Sequence, residues 1–421
     1  MNFKAYMLVA IVVVATLHLC VPANAVAQDD ELNSLRQAAQ IEITNKDNNL
    51  DEETTFTSGA LGLQKLNPEL SVTGDILWNY TDIAGEDSRQ DFTFRGLGLH
   101  LSSYLDPYTM FKAAIAFNEN EAELGEAYMT RFGILPQLNL TLGKFRQQFG
   151  VVNRWHKHGL DQVDFPLALR QIFGNGGLNQ TGASLEWTIP GVVGFSHTLI
   201  TQITDGSNKR LFLENSDNKI NALLHYKIYR DLSNSTYIEL GASGLYGQNN
   251  AWQVLGNTVN KSLDTTVAGI DLTVLWEPEN RMRYRNFTWR SEAYFLNKDI
   301  MASNGIGEDS ISAWGAYTYV ESKLSRTFIL GIRGDYFVPD VKDYADYAAP
   351  DGVSCSLKPL AVTESNPYRW QITPYITWHQ SPFVHYRIEY DTSGGDGTGD
   401  DEQTIWLQCV FAAGPHKHER Y

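Results

Sequence analysis

The stretch ELSVTGDILWNY, residues 69–80, alternates apolar and polar side chains along its length. The apolar positions are Leu70, Val72, Ile76, Trp78 and Tyr80, and the polar positions are Ser71, Thr73, Asp75 and Asn79. Successive side chains of a β-strand point to opposite faces. This stretch therefore predicts a strand with one apolar face and one polar face.

The same alternation recurs along the chain up to residues 404–412, TIWLQCVFA. It marks about 16 segments of roughly ten residues, the length with which β-barrels cross an outer membrane. We therefore predict an all-β fold over residues 68–413. This fold is a transmembrane antiparallel β-barrel of about 16 strands.

The connections between these segments alternate in length. Short, turn-like connections lie at residues 105–107, 133–137, 190–194, 230–235, 277–282, 321–326 and 379–383. Longer polar connections lie at residues 146–180, 203–218, 247–265, 296–310, 338–367 and 391–403. Outer-membrane barrels have short periplasmic turns and longer external loops. The pattern predicts a bacterial outer-membrane protein surrounded by outer-membrane lipid.

The two ends of the chain differ from the barrel. Residues 1–27 have a basic Lys4, an apolar core and a small-x-small site, which indicates a signal peptide. We predict that residues 28–67 form a periplasmic segment that is helical or disordered. We predict that residues 414–421, GPHKHERY, form a periplasmic tail. The net charge of -16 argues against nucleic acid as a partner.

The polar positions of the predicted strands carry charges of both signs. A barrel of about 16 strands leaves an aqueous lumen, and charges in a dry core would cost several kcal/mol each. The charge-mixed wall therefore predicts water inside and passage of small hydrophilic solutes or ions. The candidate lumen residues are Arg290, Arg333, Asp335, Arg369 and Arg387.

Shorter connections of the same kind follow Tyr80 and Phe117, so residues 146–180 form the third external connection, and the longest. Phe149, Phe165 and Phe173 can pack on a barrel wall, and we expect this external loop to fold inward. Pro166 suits the first turn of a short helix over DFPLALRQIF. The candidate constriction residues are Arg146, Arg154, Lys157, Asp161, Asp164 and Arg170.

His156 and His158 in this loop leave three interpretations open. They are pore-lining residues, zinc ligands or catalytic bases. Zinc needs three or four ligands, so an H-x-H pair alone is a weak signal. A catalytic histidine needs a nucleophile and an orienting group, and no such set stands out. We predict no enzymatic activity and no cofactor, with zinc at His156 and His158 as the alternative.

The run LNLTLGKFRQQFG, followed by DFPLALRQIFG and GLNQTGASLEW, resembles the phosphate-selective porin O/P group. The match is carried by Gly143, Phe145, Phe149, Gly150, Pro166 and Gly182. The ending LQCVFAAGPHKH is similar to that of zinc-regulated outer-membrane barrel proteins. The resemblance implies a homotrimeric, anion-preferring channel, although the predicted lumen is not predominantly basic.

We therefore expect an outer-membrane porin, a water-filled channel for passive diffusion of small hydrophilic solutes. Two alternatives stay open at this point. One is a zinc-related outer-membrane uptake or binding protein. The other is a barrel surface protein without transport.

Overall fold

A computed structural model describes residues 69–119, 121–192, 194–212, 220–254, 257–301, 308–339, 368–395 and 401–414. The predicted signal peptide, the predicted periplasmic segment 28–67 and tail residues 415–421 lie outside the described residues. The described residues contain 16 strands. They are β1 (Glu69–Ile83), β2 (Arg89–Asp106), β3 (Thr109–Phe117), β4 (Ala122–Leu135), β5 (Leu138–Arg146), β6 (Asn179–Val192), β7 (Phe195–Thr204), β8 (Asn221–Ser233), β9 (Thr236–Val254), β10 (Asn257–Trp276), β11 (Phe287–Met301), β12 (Glu308–Lys323), β13 (Phe328–Val338), β14 (Arg369–Ser381), β15 (Val384–Gly395) and β16 (Glu402–Ala413).

Each strand pairs antiparallel with the next, and β16 pairs with β1 to close the barrel. The closing register runs from Val72 opposite Ala413 to Ile83 opposite Glu402. Closure gives each of these strands two neighbours, as a barrel that crosses a bilayer requires. The prediction of an antiparallel barrel of about 16 strands is confirmed.

Strand β11 shows how the sequence builds the two faces of the wall. Phe287, Trp289 and Phe295 are exposed, whereas Arg290 and Glu292 at alternating positions are buried. An apolar exposed face suits lipid, and a polar face turned away from it suits the barrel interior. The period-two alternation in the sequence therefore corresponds to the alternation of exposed and buried side chains along this strand.

Two of the predicted long connections are mostly strand. Residues 247–265 were expected to form a loop, but β9 continues to Val254 and β10 begins at Asn257. Residues 296–310 likewise belong largely to β11 and β12. These predictions were wrong because backbone pairing with the neighbouring strands continues through these residues, from Gly247 opposite Thr265 and from Leu296 opposite Ala313 outward.

The connection between β5 and β6, residues 147–178, is called loop 3 here. It contains 3₁₀ turns at Val152–Arg154 and Lys157–Gly159 and a helix α1 (Leu167–Phe173) that follows Pro166. The predicted short helix is confirmed. A second short helix, α2 (Lys209–Phe212), follows β7. No helix in the described residues is long and apolar enough to cross a membrane.

The main apolar cluster lies between loop 3 and the wall. Loop 3 contributes Phe149, Val152, Trp155, Leu160, Phe165, Leu167, Ala168, Leu169, Ile172, Phe173 and Leu178. Strands β8–β13 contribute residues such as Leu223, Leu245, Val267, Tyr294, Tyr317 and Phe337. Burying a phenylalanine side chain contributes about 1.5–3 kcal/mol. The aromatic residues of loop 3 therefore fix it against these strands.

Candidate functional site: loop 3 and the cavity beside it

Three buried carboxylates of the wall hold the backbone of loop 3. Glu292 Oε1 accepts hydrogen bonds from the N–H groups of Val151 at 3.2 Å and Val152 at 3.0 Å. Glu389 Oε2 accepts from the Val163 N–H at 2.9 Å. Asp335 Oδ1 accepts from the Leu167 N–H, the first residue of α1, at 2.8 Å. Each of these bonds supplies an acceptor to a backbone N–H group that burial removes from water.

Guanidinium groups bind the carbonyl groups of the same loop. Arg387 donates to the Leu160 carbonyl at 2.9 Å, and Arg333 donates to the Asp164 carbonyl at 2.9 Å. Arg95 donates to the Val163 carbonyl at 2.6 Å. Both kinds of backbone group are thus paired to the wall, which lowers the cost of burying them.

Four of the five candidate lumen residues contact loop 3. Arg333 pairs with Asp335 at 2.7 Å, and both are buried against loop 3. Arg290 lies over the Trp155 ring, with the guanidinium carbon 4.6 Å from the ring centroid. With Arg387 these residues contact loop 3, and none of them lines the cavity described below. Arg369, at the start of β14, does not line that cavity either.

A cavity of about 970 Å³ lies on the other side of loop 3. Its wall comes mainly from strands β2–β9, and its charged residues are of both signs. They are Lys112, Arg146, Arg154 and Lys227 together with Glu69, Glu126, Glu186 and Glu239. Loop 3 therefore contributes both to the apolar cluster with β8–β13 and to the lining of this cavity.

Two of the six candidate constriction residues, Arg146 and Arg154, line this cavity. The Arg146 guanidinium also donates to the carbonyls of Asn153 at 3.2 Å and Gly176 at 3.1 Å. It thereby joins the first part of loop 3 to its last part. Gly177 nearby has φ of 67°, a conformation that favours glycine.

The other four constriction candidates lie away from the cavity lining. Asp161 accepts from the Tyr319 hydroxyl at 2.8 Å, and Arg170 donates to Gln371 at 3.2 Å. Lys157 pairs with Asp164 at 3.2 Å. Burial tends to raise the pKa of Asp164, but the charges of Lys157, Arg170 and Arg95 outweigh it and lower this pKa.

His156 and His158 meet a third histidine that the sequence did not indicate. His100 on β2 has its ring centroid 5.2 Å from each of the other two rings. The His156 Nε2 lies 2.8 Å from Glu126 Oε2. As arranged, no group of three or more His, Cys, Asp or Glu residues in the described ranges could hold a metal ion. Zinc at His156 and His158 stays a prediction.

Sequence reasoning missed His100, Glu126 and Arg95. His100 and Glu126 occupy polar strand positions that alternation alone does not distinguish from other lumen positions. Arg95 lies at an irregularity of the β1–β2 ladder, where the period of two is interrupted. Its guanidinium pairs with Asp75. Only the position of loop 3 shows which of the many polar strand residues contact the loop.

No protein-family model matches the chain. A protein of Aquifex aeolicus, described as an uncharacterized protein, is 29% identical over 126 residues, which are 30% of this chain and 26% of that protein. The chain thus matches about a quarter of that relative's length.

Several solved structures share the barrel. The outer membrane channel DcaP of Acinetobacter baumannii has a TM-score of 0.54 at 12% identity, over 82% of this chain and 97% of that one. An anion-selective porin from Comamonas acidovorans has a TM-score of 0.52 at 11% identity, over 82% of this chain and 100% of that one. OprB of Pseudomonas putida has a TM-score of 0.52 at 13% identity, over 83% of this chain and 95% of that one. At these identities the likeness shows the fold, that of a bacterial outer-membrane barrel.

Proposed function

We propose that this barrel is a water-filled, non-enzymatic channel for passive diffusion of small hydrophilic solutes. The observation that carries the proposal is the cavity of about 970 Å³ with charged residues of both signs beside loop 3. A packed core would leave no such space, and lumen charges are stable where water reaches them. Loop 3 occupies one half of the lumen and narrows the passage to the half lined by β2–β9.

We extend the proposal to a preference for anions. Loop 3 contributes Arg154 and His156 to the cavity lining but no carboxylate. Of the wall glutamates, Glu239 pairs with Lys227 at 3.0 Å, and Glu126 contacts His156. Rings of charged side chains decide ion selectivity in channels. The homotrimer that the O/P resemblance implies belongs to the same proposal.

Planar-bilayer recording of the folded, purified protein tests the channel. We expect discrete conductance steps and a reversal potential that favours chloride over potassium in a salt gradient. Arg154→Gln should shift that reversal potential toward potassium. The exposed Arg89→Gln is the charge-matched control and should leave it unchanged. Absence of conductance from folded protein would refute the channel, and equal shifts in both variants would refute the role of Arg154.

A second candidate, zinc binding at His156 and His158, is favoured by the third ring of His100 beside them. Since no three described side chains could hold the ion as arranged, a ring would have to turn. Calorimetric titration of zinc into the wild type and a His156→Ala, His158→Ala variant tests it. Binding that is unchanged in the variant would remove the site.

A further inference from the structure

The turn between β10 and β11, residues 277–286, carries three arginines in the pattern RMRYR. Arg281, Arg283 and Arg285 are all exposed. The turn is held by its own backbone, since the Tyr284 and Arg285 N–H groups donate to the Arg281 carbonyl at 2.8 and 2.9 Å. The arginines therefore project from a defined turn.

The neighbouring turn, between β12 and β13, adds two more cations. Ser322 Oγ donates to the Asn286 carbonyl at 2.8 Å, and the Lys323 N–H donates to Asn286 Oδ1 at 3.1 Å. These contacts place Lys323 and the exposed Arg326 next to the arginine turn. We call Arg281, Arg283, Arg285, Lys323 and Arg326 the basic rim. Glu277 and Glu279 are the acidic residues of the arginine turn.

This concentration of cations is local, because the whole chain has a net charge of -16. It also contains exposed apolar side chains: Met282 at 47%, Tyr284 at 54% and Leu324 at 60% exposure. Binding of a soluble acidic partner would require the basic side chains but would not require the three exposed apolar side chains. A surface that combines basic and apolar side chains suits the boundary between headgroups and acyl chains.

The strand ends place the basic rim at that boundary. Trp276 and Phe287, which flank the arginine turn, are exposed on the wall, and so are Trp289 and Phe328. Aromatic residues of barrels form girdles at the membrane interfaces. The same end of the barrel has the two-residue turns 107–108 and 136–137, and short turns of outer-membrane barrels face the periplasm. The basic rim therefore lies at the inner leaflet of the outer membrane.

We propose that the basic rim binds the phosphate headgroups of anionic phospholipid in the periplasmic leaflet. Guanidinium groups match phosphate oxygens in a two-pronged geometry. Cations next to an anionic leaflet add attraction roughly in proportion to their number. The apolar side chains between them reach the acyl region and keep the arginines at headgroup depth.

Native mass spectrometry of the protein released from bilayers tests the proposal. The bilayer is an equal mixture of phosphatidylglycerol and phosphatidylcholine, and the readout is the ratio of the two lipids retained. We expect the wild type to retain phosphatidylglycerol preferentially. Arg283→Gln with Arg285→Gln should lower the ratio by roughly fivefold or more, given the attraction per cation near an anionic leaflet.

Two further variants interpret the result. Arg89→Gln with Lys261→Gln removes the same charge at the opposite rim and should keep the wild-type ratio. Arg283→Lys with Arg285→Lys keeps the charge and should retain most of the preference. All variants are first shown to migrate as the compact, folded band on unheated gels. A wild type without preference, or equal losses at both rims, would overturn the proposal.

Discussion

Glu292 combines four hydrogen bonds at one carboxylate. It accepts from the backbone N–H groups of Val151 and Val152 and from the hydroxyls of Tyr294 at 2.7 Å and Tyr317 at 2.6 Å. Its side chain is buried, with only 2% exposure. A buried carboxylate is tolerable because these donors replace water. Glu292 therefore joins the start of loop 3 to the middle of β11 and β12.

Glu292→Gln should loosen the start of loop 3. The amide brings an N–H group among donors that need an acceptor, and leaving such groups unsatisfied costs about 1–3 kcal/mol. We expect a lower temperature of barrel unfolding on gels and a larger, noisier single-channel conductance. Glu86→Gln is the control, since Glu86 is exposed in the connection between β1 and β2. Conductance and stability equal to those of the control would show that Glu292 does not hold the loop.

At the residue scale, alternation predicted which side chains face away from lipid but not what they do there. Arg290, Arg333, Asp335 and Arg387 were predicted as lumen residues, and in the structure all four contact loop 3. The role of each depends on which part of a long connection covers it. That choice is made by three-dimensional packing, which no local pattern in the strands encodes.

At the scale of elements, loop 3 depends on ion pairs as well as on packing. Asp164 lies 3.2 Å from Lys157 and 3.9 Å from Arg95, which belongs to β2. Because these cations lower its folded-state pKa, ionised Asp164 stabilises the docked loop. The stabilisation is fully present above the ordinary pKa of 3.8. It is lost as the pH falls through the lower, folded-state value.

Asp164→Asn should therefore remove part of the acid response of the channel. In the wild type we expect conductance noise from loop motion to rise as the pH falls below about 4. The asparagine variant should show more noise at neutral pH and a smaller further increase in acid. Lys157→Gln should move the onset to higher pH, because the carboxyl loses a neighbouring cation. An acid response identical in all three proteins would exclude Asp164 as its source.

Helix α1 and the strand ends show why elements differ in predictability. Pro166 and the apolar spacing after it are local signals, and the helix forms where they place it. The outer ends of β9–β12 lack such a signal. Their polar sequences resemble loops, but their pairing continues because each strand has a neighbour in register. Backbone hydrogen bonding to the neighbouring strand determines these strand lengths. The sequence of one segment alone gives no information about that neighbour.

At the scale of the whole molecule, the strand number and the closure follow from repeated local patterns. Each segment of alternating residues gives one strand, and short turns force neighbours to be antiparallel. The sequence could not predict how the first and last strands meet, because their pairing joins residues more than 300 positions apart. In the structure this seam brings Gly74 opposite Phe411.

Gly74 and Phe411 are in close contact where β1 pairs with β16. A Cβ atom at Gly74 would lie 2.1 Å from the Phe411 ring, which covers the glycine on the lipid side. Gly74→Val should displace this ring and weaken the closing pair by about 1 kcal/mol, the upper range for one cross-strand pair. The measured quantity is the fraction of protein that reaches the compact band after refolding into detergent, which should fall.

Two variants separate the seam from general effects of valine. Gly334→Val on β13 is the matched control, because a Cβ atom there meets nothing within 4 Å, and its folded fraction should not fall. Phe411→Ala in the Gly74→Val background should restore part of the lost fraction, since the smaller side chain makes room. If the alanine instead adds to the loss, the ring contributes to closure independently of the glycine. Steric fit at this pair would then not be what sets the efficiency of closure.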